Sequence, residues 1–229
     1  MLPVQVSQHL NLSETAFLKS ELFTLFSEMK MPAEKSEQLE NELFKTYSAP
    51  WRKYHNLSHV HSMLMLLQTS EVQPGNSLVF RAAIWFHDVV YHVFKKNNER
   101  KSAEFAIEKL GKYLNPQDAV LLREMIESTK SHRPLSNHKD LLLFLDFDLA
   151  VLAAKKDVYK KYADAVWEEY SRLPAFFYRL GRRKVLSHFY ERKRIYFTKH
   201  FRRLFEKQAR QNLRSEIESL KLLSSCPNS

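Results

Sequence analysis

The sequence predicts an all-α protein that folds as a single domain. Apolar residues recur at helical spacing along most of the 229-residue chain, only three residues are glycine, and no low-complexity linker divides the chain. The apolar fraction of 44% and the charged fraction of 27% are typical of an ordered globular protein. A P-loop, a dinucleotide-binding fingerprint and a nucleophile elbow are excluded, because each needs several glycines at fixed spacing.

Four helices are predicted in the first 90 residues. The apolar stripe of the first helix consists of Leu18, Leu22, Leu25 and Met29. The second helix begins at Pro32, since a first turn does not need the N–H that proline lacks, and it runs to about residue 47. The third helix covers about 56–70, and the fourth follows an N-cap at Ser77 and extends over 78–90.

Two more helices are predicted from capping residues in the middle of the chain. Asn98 caps the fifth helix, which ends near Gly111. The sixth helix runs to about residue 130, and its N-terminal signature consists of Asn115, Pro116 and Asp118.

The last part of the chain is predicted to be helical as well. A loop over 131–140 precedes a helix over 140–154. Two or three long helices then cover 156–223, with an interruption near Pro174. Residues 224–229 are polar and are predicted to form a flexible tail, so that the folded core covers about 10–220.

Positive charge is concentrated near the carboxyl end. Residues 179–214 carry a net charge of +11, whereas the whole chain carries +10. Such a segment can attract phosphates or nucleic acid, but it contains no nucleic-acid recognition motif, so a solvated helix face is the favoured interpretation.

Several absences predict a cytoplasmic protein that does not enter a membrane. Cys226 is the only cysteine, and the amino terminus has no basic segment followed by an apolar one. The longest apolar runs, 141–145 and 149–154, are far too short to span a bilayer. The oligomeric state is not predicted.

Two short segments place histidine and aspartate beside apolar residues. His55 and His59 lie four residues apart at the start of a helix and therefore face the same way. His87 and Asp88 interrupt the helix predicted over 78–90, which is otherwise apolar around most of its circumference. An ionised carboxylate in a buried helix needs a compensating partner.

A second pair of acids raises the same question. Asp146 and Asp148 lie in an apolar helix, and residues two apart on a helix point about 200° away from each other. Only one of them can join a given site, and the other needs an arginine or a backbone donor. One divalent cation would compensate such buried carboxylates, and the sequence does not distinguish Mn, Fe, Zn, Co, Ni and Mg.

The order of these residues resembles that of the HD superfamily of metal-dependent phosphohydrolases, which have an all-α fold. More narrowly, six segments in the same order resemble one branch known only as predicted phosphohydrolases. The six segments are RKYHNLSH (52–59), AAIWFHDVVYH (82–92), NNERKSA (97–103), ESTKSH (127–132), LDFDLAVLA (145–153) and YRLGRRKVLSHFYERKRIYFT (178–198). The resemblance extends over about residues 10–220 and implies a single HD-type helical bundle.

The resemblance also implies a set of metal ligands: His59, His87, Asp88 and Asp148. Asp148 is chosen over Asp146 because family members place the ligand immediately before a Leu-Ala pair. The implied reaction is hydrolysis of a phosphate ester or anhydride in a small, nucleotide-like substrate by a metal-activated water, with Asp88 orienting that water.

Further roles follow from the same resemblance. Tyr54-His55-Asn56-x-x-His59 is similar to a motif of cyclic-nucleotide phosphodiesterases, which implies that His55 donates a proton to the leaving oxygen; alternatively, His55 orients His59. The candidate substrate-binding residues are Arg52, His132, Arg133 and Arg182. For each arginine, the alternative is a surface charge or a partner of Asp146.

The chain departs from the family pattern at two positions. His92 and Arg100 stand where relatives usually carry acidic residues, which puts a binuclear metal site in doubt. Two alternatives stay open: an HD-fold protein without catalysis that senses nucleotides or binds nucleic acid, and, with less support, a paired-iron protein that activates oxygen.

Overall fold

The computed structural model describes residues 10–225, with side chains to Leu222. This range contains ten α-helices and no strand, so the all-α prediction is confirmed for it. The helices are α1 (Leu12–Glu28), α2 (Ala33–Tyr47), α3 (Leu57–Thr69), α4 (Ser77–Phe86), α5 (Asn98–Leu110), α6 (Pro116–Ser128), α7 (Lys139–Asp148), α8 (Lys156–Glu169), α9 (Ala175–Tyr190) and α10 (Lys199–Ser225). Between residues 10 and 225, no helix combines the length and the apolar character that a bilayer crossing demands.

Of the three predicted N-caps, Asn115 is confirmed, whereas Asn98 is the first residue of α5, whose N-cap is Asn97. Asn115 accepts a hydrogen bond from the backbone N–H of Asp118, with Pro116 as the first helical residue, as predicted. The predicted cap at Ser77 is wrong by one position, because the Asn76 side chain accepts the bond from the Val79 N–H. Of the predicted tail, residues 224 and 225 extend α10, and residues 226–229, including Cys226, lie outside the described residues.

The prediction that one helix covers 78–90 is wrong, because α4 ends at Phe86. His87 is its C-cap, and the N–H of Val90 is bound by the Ser102 hydroxyl at 3.0 Å rather than by a helix carbonyl. The carbonyls of Asp88 and Val89 accept hydrogen bonds from the buried Arg52 guanidinium, both at 2.8 Å. These long-range bonds replace the helical ones, so the His-Asp doublet lies at a helix end.

One apolar core joins the helices, and α4 lies within it. All residues from Val79 to Phe86 are buried, and α4 contacts α1, α3, α5, α6 and α7. The helix predicted over 140–154 ends at Asp148 and continues as a 3-10 segment over Leu149–Ala153, which packs against α8 and α10. This packing brings the start of α3, the end of α4 and the end of α7 to one place.

Candidate metal centre

Three helix ends carry the side chains that converge in the core. His59 lies in the first turn of α3, His87 caps the end of α4, and Asp148 is the last residue of α7. The exposed fractions of the three side chains are 5%, 1% and 12%, respectively. A hydrogen bond between His87 Nδ1 and the Ile84 carbonyl at 3.0 Å turns Nε2 toward the other two residues.

The distances within this cluster fit a divalent cation. His59 Nε2 lies 3.2 Å from His87 Nε2 and 3.3 Å from Asp148 Oδ1, and His87 Nε2 lies 3.7 Å from the same oxygen. Ligand bonds of about 2.0–2.2 Å place neighbouring donor atoms at similar separations. His59, His87 and Asp148 therefore form a group that can hold a metal ion.

Asp88 borders the cluster. Its Oδ2 lies 3.0 Å from His87 Nε2 and 4.0 Å from His59 Nε2. Burial lowers the pKa of His87, but the carboxylates of Asp88 and Asp148 outweigh that effect and raise it to about 9. The two acids thus impose a strong preference for positive charge at this point of the core, which a proton or a metal cation can satisfy.

Asp146, two residues before Asp148 on α7, has a separate partner, as its position on the helix requires. Asp146 is fully buried and accepts hydrogen bonds from the backbone N–H groups of Phe197 and Thr198 and from the Thr198 hydroxyl, at 2.6–2.8 Å. Of the two partners that the sequence left open, a backbone donor is the one that the structure shows. Asp148 is the residue that reaches the histidines.

His132 holds the second oxygen of Asp148. Its Nε2 lies 2.8 Å from Asp148 Oδ2, and its backbone adopts the left-handed region with φ of 47°. The Arg192 guanidinium donates to the carbonyls of both Ser131 and His132, which fixes this unusual conformation. His132 therefore orients the carboxylate, and it also lines the cavity beside it.

The substrate contacts of Arg52 and Arg133 stay predictions, and neither residue lines the cavity that leads to the cluster. Arg52 is buried, donates to the carbonyls of His55, Asp88 and Val89, and does not line the cavity that leads to the cluster. Arg52 therefore links the segment that contains His55 to the segment that contains Asp88 and Val89. Arg133 is exposed and does not line that cavity either.

Arg182 lines the cavity but is engaged within the protein. Its Nε and Nη2 donate to Glu216, and its Nη1 donates to the Tyr162 hydroxyl at 3.2 Å. The sequence offered Asp146 as its alternative partner, and the structure shows Glu216 instead.

Glu169 is the residue that the sequence reasoning missed. Its Oε1 accepts the backbone N–H groups of Lys53, Tyr54 and His55 at 2.8–2.9 Å, and its Oε2 lies 2.7 Å from His55 Nδ1. The Tyr91 hydroxyl donates to the same Oε2. A signal was present: Glu169 continues the buried face of α8, which otherwise consists of tyrosines and small apolar residues.

This ion pair sets the charge of His55. Burial lowers the pKa of His55, but the charge of Glu169, the charge of Asp88 and the hydrogen bond that His55 donates to Glu169 raise it above its usual value. Burial raises the pKa of Glu169, but the His55 charge and the hydrogen bonds from His55 and the backbone lower it to about 2. The ring of His55 also stacks on Tyr91, with centroids 4.1 Å apart.

Replacing Glu169 should destabilise the fold in a pH-dependent way. Glu169→Gln leaves His55 without its buried counter-charge, so we expect a loss of about 3 kcal/mol at pH 6. The Glu169 pKa is lowered, so its stabilisation is present above the unfolded value of 4.5 and is lost as pH falls toward about 2. The difference in urea-derived unfolding free energy should shrink by about 2 kcal/mol between pH 6 and pH 3.

The exposed neighbour Glu168 supplies the matched control. Glu168→Gln on the same helix should change the unfolding free energy by less than about 0.5 kcal/mol at either pH. A Glu169→Gln effect as small and as independent of pH would contradict the role given to this ion pair.

A cavity of about 450 Å³ leads from the surface to the cluster. His55, Asp88, His132 and Asp148 form the end of the cavity nearest the cluster, whereas His59 and His87 do not line it. A molecule in the cavity would thus contact the carboxylates of Asp88 and Asp148 and the imidazole of His55, which is ion-paired with Glu169.

Comparisons with known proteins return no match. No family model, curated protein or solved structure matches the chain.

Proposed function

We propose that the protein is a metal-dependent hydrolase of phosphate esters or anhydrides, as its resemblance to the HD superfamily implies. The observation that carries this proposal is the meeting of His59, His87 and Asp148 beside a cavity that also contains Asp88 and an ion-paired His55. Two imidazoles and one or two carboxylates are a common ligand set for transition-metal ions.

Each residue of the cluster has a distinct task in this proposal. His59, His87 and Asp148 hold the cation, with Asp88 as a further ligand on the cavity side. A cation bound there supplies Lewis acidity for a phosphoryl oxygen and lowers the pKa of a water molecule. The second oxygen of Asp88 orients the attacking water, and His132 fixes the carboxylate of Asp148.

His55 supplies the proton for the leaving group. Glu169 binds Nδ1 and favours the protonated ring, so the proton on Nε2 is the one that can be given to a substrate in the cavity. The Tyr91 ring holds the imidazole plane from one side. The proton donor in this proposal is therefore His55, and it does not depend on the acidic residues that relatives carry at the positions of His92 and Arg100.

The basic segment gives less support to the alternative of a nucleic-acid-binding protein. Five of its arginines donate hydrogen bonds to protein groups: Arg182, Arg192, Arg202, Arg210 and Arg214. Part of the positive charge of residues 179–214 is therefore engaged in contacts within the protein.

A metal analysis combined with a substrate screen tests the proposal. The purified protein should contain about one transition-metal ion per chain and, with Mn, Mg, Co, Ni or Zn, should hydrolyse a compound from a panel of nucleotides, cyclic nucleotides, sugar phosphates and alkyl phosphates. A protein that binds the metal but hydrolyses no member of the panel would favour a binding role without catalysis.

A further inference from the structure

The walls of the cavity are mainly apolar. Fourteen of the 25 lining residues are tyrosine, phenylalanine, valine or leucine, and the lining lysines, Lys95 and Lys130, are exposed. A phosphorylated substrate whose phosphate lies at the cluster would place the rest of its structure against these walls.

Several polar side chains in these walls are engaged within the protein, whereas Lys95, Glu99 and Lys130 add charge to the less buried part of the lining. The Tyr91 hydroxyl donates to Glu169, the Thr129 hydroxyl to the Ile126 carbonyl, and the Asn98 amide to the His92 carbonyl. Arg182 is paired with Glu216. A sugar or a nucleobase would bring several hydrogen-bonding groups that find few free partners here, and each buried unpaired group is costly.

One side of α9 forms a continuous strip along the cavity. Leu173, just before the helix, and Phe177, Gly181, Val185 and Phe189 follow one another at four-residue spacing, and all line the cavity. A Cβ atom added at Gly181 would meet no heavy atom within 4 Å. Glycine weakens a helix interior, so its presence at an unfilled point of this strip indicates room for a ligand close to the backbone.

The strip continues onto the surface. Phe177 and Val185 are 60% and 49% exposed, and Phe176 and Leu180 on the same helix are 61% and 50% exposed. Phe94, which is 48% exposed, lies in a loop between Val93 and Lys95, and these two neighbours line the cavity. Exposed apolar side chains of α9 therefore lie next to the apolar residues of the same helix that line the cavity.

We propose that the natural substrate is a phosphorylated amphiphile, whose phosphate lies at the cluster and whose apolar chain follows the α9 strip past Gly181. This inference rests on the proposed function for the reaction but not for the binding. It replaces the nucleotide-like substrate that the family resemblance implies, because the walls complement methylene groups rather than hydrogen-bonding groups.

Binding of alkylphosphonates, which are not hydrolysed, tests the inference without relying on activity. Ethyl-, hexyl- and decylphosphonate are titrated into manganese-loaded protein by calorimetry, below the concentrations at which they form micelles. Each buried methylene should tighten binding about fourfold. Burial of about four of the eight additional methylenes is therefore enough for decylphosphonate to bind at least about 100-fold more tightly than ethylphosphonate. Equal affinities, or tighter binding of adenosine 5′-monophosphate than of decylphosphonate, would overturn the inference.

Two variants test where the alkyl chain of the bound phosphonate lies. Gly181→Leu fills the strip and should weaken decylphosphonate binding at least about tenfold while raising the melting temperature, because leucine favours the helix over glycine. Val185→Asp should also weaken it about tenfold. Leu204→Asp is the matched control: Leu204 is 51% exposed on α10, does not line the cavity, and its replacement should leave the affinity unchanged.

The outcomes separate this inference from the proposed hydrolase. Chain-length-dependent binding without hydrolysis of decyl phosphate would support the amphiphile site and count against the hydrolase. Hydrolysis of phosphate esters without any chain-length dependence would retain the hydrolase and overturn the amphiphile site.

Discussion

Asp148→Asn should bind no divalent cation above background after dialysis, and its phosphoesterase activity should fall about 1,000-fold or more. The carboxylate oxygen of Asp148 lies 3.3 Å and 3.7 Å from the two imidazole nitrogens, and the amide removes the negative charge at that point while keeping the shape. Elemental analysis of the dialysed protein and kcat on the best substrate of the screen measure the two effects.

The second aspartate of α7 offers a close control. Asp146→Asn changes a more deeply buried carboxylate two residues away, which binds backbone N–H groups before α10. It should lower the unfolding free energy by about 1–3 kcal/mol and retain the metal. Loss of metal from a folded Asp146→Asn variant, or a full complement of metal in Asp148→Asn, would contradict the assignment of ligands.

His55→Gln should lower kcat by about 100- to 1,000-fold on an alkyl phosphate without changing the metal content. The loss should be much smaller on p-nitrophenyl phosphate, whose leaving group departs without a proton. His55 is ion-paired through Nδ1 to Glu169. In the proposed function it acts on the leaving oxygen rather than on the cation, which is the reason for this expectation.

The comparison of the two leaving groups decides between the two roles left open for His55. Equal losses on both substrates, or loss of the metal, would mean that His55 orients His59 instead of donating a proton. Tyr91→Phe serves as a control, because it retains the ring that stacks on His55 and removes only the hydroxyl, which bonds to Glu169 and Tyr170. It should reduce kcat less than His55→Gln does on the alkyl phosphate.

The parts of the fold that depend on local sequence were predictable. Apolar spacing and capping residues predicted a helix at each of α1–α7 and two or three helices in the region of α8–α10, and Asn115 with Pro116 marked the start of α6 correctly. The end of α4 was not predictable, because it depends on Arg52, which binds carbonyls 36 and 37 residues away in sequence. Local propensity carries no information about such a partner.

The candidate site was likewise predictable where local sequence decides the outcome, and not where long-range contacts decide it. The cost of burying acids in apolar helices pointed to the region of His87 and Asp148, and the family resemblance selected Asp148 over Asp146. The roles of the arginines and of Glu169 depend on contacts across more than 30 residues, such as the 114 residues between His55 and Glu169. A charged residue on an apolar helix face was the available signal for Glu169.

Anomalous diffraction from crystals grown in excess manganese addresses the central claim directly. The account predicts one strong anomalous peak about 2.0–2.3 Å from Nε2 of His59, Nε2 of His87 and an oxygen of Asp148. A map in which these three side chains keep their positions around empty density, while manganese saturates the solution, would contradict it.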